Sequence, residues 1–102
     1  MTYPVVATGE GVTRQVLACA PELMTVAFRF AAEGAVGALH HHPHVQSTFV
    51  QSGRFRFSVD GRTFEVGPGD AFVIPSGALH GCVCLEPGTL IDGFTPRRDD
   101  FL

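Results

Sequence analysis

The clearest order in the chain is a period of two. Across residues 22–33, ELMTVAFRFAAE, the side chains of Met24, Val26, Phe28 and Phe30 alternate with Thr25, Ala27, Arg29 and Ala31. Successive side chains of a strand face opposite ways, so this run predicts a strand with one face in a core. Residues 13–19 predict an earlier strand, ended by Ala20 and Pro21, and a short strand is expected within residues 3–7. FRFSV and RTFEV flank Asp60 and Gly61. Asp-Gly between alternating runs signals a type I′ hairpin, because both central residues take positive φ. GPGD then predicts a tight turn, AFVIP a strand, and Ser76 with Gly77 a second turn. CVCLEPG and TLIDGFTP read as two last strands about a turn at Pro87 and Gly88. Pro43 cannot donate to a ladder and is expected to end one strand, with pairing resuming at Val45. No segment sustains an apolar period of about 3.6 residues, so helix is minor.

Many short strands between Gly and Pro turns imply an all-β sandwich or barrel. The 102 residues fit one domain, spanning 1–102. A chain of that size buries roughly 65% of its unfolded surface, enough for a core without staples. Hydrophobic residues make up 45% of the chain, Phe nine of them, which excludes a disordered segment. The net charge of −3 and the scattered arginines leave no electrostatic footprint for nucleic acid. No apolar run approaches the ~18 residues of a membrane span, and MTYPVVATGE lacks the basic start and apolar core of a signal peptide. A soluble cytoplasmic protein with no membrane partner is expected. Cys19, Cys82 and Cys84 fit no disulfide pattern and are expected to be free thiols.

The candidate chemistry is concentrated in residues 34–53, GAVGALHHHPHVQSTFVQSG. In an extended strand His40 and His42 share a face while His41 faces the other way, toward the surface. Two imidazoles on one face begin a metal site. Gln46 has the same parity, and a distant histidine, His80, lies in GDAFVIPSGALHG. His44 also has that parity but follows Pro43, which suggests a place at the rim or behind the ligands. A second group is LIDGFTPRRDDFL, where Leu90, Asp92 and Phe94 share a face. If Asp92 faces the interior, burial raises its pKa toward the range of general acid or base work; if the strand twists outward, Asp92 is solvated. Arg97 and Arg98 read either as an exposed tail or as supplying a clamp for a substrate carboxylate.

Gly34, His40, His42, Gln46 and Gly53 stand at the spacing of the first cupin motif, with Gln in place of the usual Glu. Gly69, Pro75, Gly77 and His80 stand at the spacing of the second, with Cys84 where Asn is usual. The chain therefore resembles the cupins, and the resemblance implies a double-stranded β-helix, or jelly-roll barrel. It further implies one divalent metal ion per chain (Ni, Zn, Mn, Fe or Co) held by His40, His42, Gln46 and His80. A neutral ligand set leaves the ion's charge uncompensated and favours an anionic or enolate oxygen at its open positions. For Cys84 a packed, inert thiol is expected rather than thiolate ligation. Asp92, Phe94, Thr95, Pro96 and Arg98 extend the similarity to small single-domain cupins of the pectin-degradation (KdgF) type. That resemblance implies linearisation of 4,5-unsaturated uronates, with Asp92 moving the proton, Phe94 walling the pocket and Arg98 anchoring the carboxylate. The expected partner is a small anionic or carbonyl-containing substrate. Oxygen chemistry of the cupin dioxygenase kind and non-catalytic ligand binding are the alternatives. A homodimer paired through the outer sheet is also expected.

Overall fold

The computed structural model describes residues 2–102. Among them the strands are β1 (Val5–Gly9), β2 (Val12–Ala20), β3 (Leu23–Phe30), β4 (Val36–His40) and β5 (Val45–Val50). They continue with β6 (Arg54–Val59), β7 (Arg62–Val66), β8 (Ala71–Ile74), β9 (His80–Glu86) and β10 (Gly88–Thr95). The sole helical element among the described residues is a 3-10 turn at Asp99–Phe101, and no helix is long and apolar enough to cross a membrane.

Every pairing is antiparallel. One sheet has the order β1-β2-β3-β10-β5-β8 and the other β4-β9-β6-β7. Val12, Phe30, Val50 and Leu90 from the first pack with Phe55, Phe57, Cys82 and Cys84 from the second in one buried cluster. Two antiparallel sheets closed over a shared core are the jelly roll that the alternating runs and the cupin resemblance predict.

Local chemistry accounts for the turns. Asp60 has φ 48° and Gly61 φ 80°, so the hairpin between β6 and β7 takes the left-handed pair that Asp-Gly favours. The last two strands form on either side of Pro87, as the sequence reading expects, but they do not pair with each other. β9 starts at His80 and pairs with β4 and β6, whereas β10 pairs with β3 and β5, so the chain changes sheets at Pro87 instead of closing a hairpin. Gly53 makes that crossing possible. Its φ is 81°, and a Cβ there would press on the carbonyls of Glu86 and Pro87. The N-terminal strand, expected within residues 3–7, forms slightly later and pairs with β2 at the edge of the larger sheet.

Candidate metal centre

His40 ends β4, and its direction is set by a bulge. Gly37 pairs with Cys82 and His40 with His80, so three steps on β4 match two on β9. The extra residue turns His40 onto the face shared by Gly37, Cys82 and His80, as bulges re-aim side chains. Gly81 permits it: a Cβ there would lie 2.8 Å from the Gly37 carbonyl and 3.1 Å from the Leu39 nitrogen. His42 lies past the strand, in the bend before β5, and so is not placed by alternation along β4 as the sequence reading supposed. The bend nevertheless buries it, and its ring centroid lies 5.4 Å from that of His40 and 4.9 Å from that of His80. One nitrogen from each of the three histidines falls within 4.8 Å of the others.

The hydrogen bonds fix which nitrogen each ring offers. Nδ1 of His40 donates to the Ala38 carbonyl at 2.8 Å, Nδ1 of His80 to the Ala78 carbonyl at 2.8 Å, and Nδ1 of His42 to the His44 carbonyl at 3.1 Å. Each ring therefore turns an Nε2 lone pair inward, the arrangement in which a backbone acceptor orients a metal-binding imidazole. Nε2 of His80 is buried with no protein partner. Nε2 of His42 lies 3.0 Å from Oε1 of Gln46, whose amide nitrogen donates to the Thr48 hydroxyl at 3.0 Å. With the ring proton on Nδ1, these two acceptors stand where one cation would satisfy both. A proton on His42 is disfavoured, because burial lowers its pKa, and burial likewise lowers His80 to about 4. Three imidazoles and an amide oxygen thus fit a divalent metal ion.

Asp92 stands on β10 opposite Thr48 of β5, with Phe94 opposite Gln46. The carboxylate faces inward and is 5% exposed, and Oδ1 has no partner. Burial pushes its pKa up to about 7, against the opposing pull of Thr48 and Gln46 as hydrogen-bond partners and of the Arg98 charge. Asp92, Phe94, Arg98, His40, Gln46 and His80 all line one cavity of about 300 Å³. Arg98 is 9% exposed, with its Nε and Nη2 on the two oxygens of Asp100 at 3.0 and 2.8 Å. Arg97 instead lies toward solvent and pairs with Asp99 at 2.8 Å.

The remaining candidates divide cleanly. His41 is exposed, and His44 is half-buried behind His42, whose Nδ1 donates to its carbonyl; its ring lies 5.4 Å from that of His42 and 6.4 Å from that of Phe94, and its own Nδ1 is buried without a partner. Cys84 is packed in the apolar cluster and outside the histidine group; burial raises its pKa and pushes Cys82 up to about 12, so both remain thiols. Thr48, which links Gln46 toward Asp92, was not singled out in the sequence. Its signal was parity with Gln46 in the run VQSTFV, a pattern that a packed threonine would share.

The comparisons agree with this geometry. Residues 27–92 match the cupin domain family. The chain is 38% identical over 96 residues to the pectin degradation protein KdgF of Dickeya dadantii (strain 3937), covering 92% of this chain and 86% of that one. The structure of KdgF from Halomonas sp. superposes with a TM-score of 0.91 at 41% identity, covering 98% of this chain and 92% of that one. An RmlC-like cupin from Shewanella frigidimarina NCIMB 400 superposes with a TM-score of 0.92 at 40% identity, covering 98% of this chain and 89% of that one. With a jelly roll, a converging histidine triad and relatives that match along nearly the whole chain, this protein belongs to the cupin family and is similar to its KdgF members.

Proposed function

We propose that this cupin is a metal-dependent isomerase that linearises 4,5-unsaturated uronates. The observation that carries the reading is the unpartnered Oδ1 of Asp92, buried in the wall of the cavity that His40, Gln46 and His80 also line. A carboxyl group is costly to bury without a partner unless its proton is used, and a pKa of about 7 suits it to take and return one near neutrality. A divalent ion held by His40, His42, Gln46 and His80 would supply Lewis acidity to a substrate oxygen. The chain's own residues supply the rest. Oδ1 of Asp92 takes the proton of the anomeric hydroxyl as the bond from C1 to the ring oxygen breaks, and the electron pair of that bond remains on the oxygen as an enolate. The same carboxyl group returns the proton at C4, leaving a ketone and an aldehyde, so the change is an isomerisation with no external oxidant or reductant. Phe94 closes the cavity wall beside Asp92, and Arg98, held by Asp100, offers its remaining N–H donors to the substrate carboxylate. The KdgF relatives, one of them a pectin degradation protein, support this substrate class.

Metal-loaded protein mixed with unsaturated galacturonate should consume the cyclic form, followed by NMR, well above the buffer rate. Asp92→Asn should slow this by about 10²–10⁴-fold, the usual range for a general acid–base, with metal content unchanged. A wild-type rate equal to buffer removes the substrate assignment, and an unaltered D92N rate removes the role of Asp92.

A further inference from the structure

The seven cationic side chains of the chain are all arginines, and six have an evident fate. Arg29 donates to Gln15, Arg54 pairs with Glu65 and Glu86, Arg97 with Asp99 and Arg98 with Asp100. Arg56 and Arg62 are solvated on the exposed face of the hairpin. Arg14 is the exception. It sits on β2 between Val12 and Val16, which are 4% and 5% exposed, and shares their inward parity. It is half-buried, lines the 300 Å³ cavity, and among the described residues has no acid or hydrogen-bond acceptor on its guanidinium. Its Cζ lies 4.3 Å from the centre of the Phe101 ring, and Cζ of Arg98 lies 4.3 Å from the same ring. The two guanidiniums therefore stand no farther apart than twice that distance and border the same part of the cavity. The charge of Arg98 is already balanced by Asp100, whereas that of Arg14 is not. A bulge in β1 that skips Thr8 leaves this residue on the cavity wall as well.

We propose that Arg14 is a specificity-determining residue that joins Arg98 in binding the carboxylate of the cavity's ligand and sharpens the selection of free acids over their neutral esters. This deepens the uronate reading above and rests on it for the ligand class. A half-buried cation without a counter-ion is an incomplete pair, and a carboxylate completes it with charge-assisted, bidentate hydrogen bonds. Phe101 fixes the guanidinium plane in advance, so little ordering remains to be done on binding.

The test uses metal-loaded protein and two unreactive probes, D-galacturonate and its methyl ester, titrated by NMR. The wild type is expected to prefer the acid by about tenfold or more. Arg14→Gln and Arg14→Met should each cut that preference several-fold, Arg98 holding the remainder, while leaving ester affinity unchanged; the methionine keeps an apolar stem against Phe101, so stacking alone would survive it. Arg14→Lys, which keeps the charge and loses the fork, should fall between. Acid affinity at the wild-type level in the Gln and Met variants overturns the proposal. So does an equal loss for acid and ester, which would make Arg14 a support for Phe101, and so does a wild type without preference. Failure of ring opening with the acid preference intact would refute the isomerase and leave Arg14 its role.

Discussion

The two ends of the barrel interior are built from the same strands and the same alternation, yet they hold opposite chemistry. Along β5 the inward side chains run Gln46, Thr48, Val50, and along β9 they run His80, Cys82, Cys84. On β10 the neighbours are Asp92 and Leu90. At the end of Val50, Cys84 and Leu90 burial is apolar and every contact stabilises, with Phe30 and Phe55 packed edge to face at 5.0 Å. At the other end burial leaves Nε2 of His80 and Oδ1 of Asp92 without partners. Depth alone therefore says little about role. What distinguishes a site from a core is burial that the surrounding protein leaves unsatisfied.

Mutations at the two ends should separate accordingly. The largest effect on stability is expected from Phe55→Ala, a fully buried ring in the apolar half. It should cost about 3–5 kcal/mol in denaturant unfolding while bound metal per folded chain is unchanged. Loss of metal at a temperature where the variant is folded would show the two ends to be coupled. Gly81→Ala addresses the bulge. Added bulk against Gly37 and Leu39 should displace His40 and weaken metal binding by about 10–100-fold, the scale of disturbed ligand support, measured by competition with a chelator. Unaltered affinity would mean that His40 reaches the ion without the bulge.

The smallest expected effect is a net one, in the pH dependence of stability of the metal-free protein. Asp92 binds its proton more tightly folded than unfolded, so its contribution falls as pH rises from about 4 to about 7. His80, lowered to about 4, has the opposite sign: its contribution is full above the unfolded value of 6.5 and is lost as pH falls toward 4. The slopes of Asp92 and His80 should cancel between about 4 and 6.5, leaving the wild type only the shallow rise with pH that His42, also lowered by burial, contributes below 6.5. Asp92→Asn should steepen that rise across the window, and a variant with the wild-type slope would contradict the assignment of opposing charges.

Legibility in the sequence followed how local the cause was. The Asp60-Gly61 hairpin and the alternation of β3 depend on neighbours in the chain, and both could be read from it. The convergence of His40, His42 and His80 was legible through motif spacing, but the mechanism supposed for it was incomplete. A regular strand through His42 was assumed, whereas a bulge directs His40 and a bend delivers His42. Bulges depend on what the partner strand can accommodate, here the bare backbone of Gly81, and within β4 only Gly37 hints at one. The sheet change at Pro87 was missed for the same reason, since a Pro-Gly turn looks alike whether the strands beside it pair or part. Arg14 and Thr48 escaped notice because arginine and threonine are ordinary in strands, and only register across the sheet brings Arg14 to the cavity and Thr48 beside Asp92.

Gly53 holds a lesson for reading sequences of this kind. It is as much a mark of the pattern as the histidines, yet its work is done where two chain segments pass one another on the way between sheets. A descendant could lose every imidazole, keep that glycine, and still be recognised as kin while binding no ion at all. In this stretch, ancestry and chemistry are written in different letters.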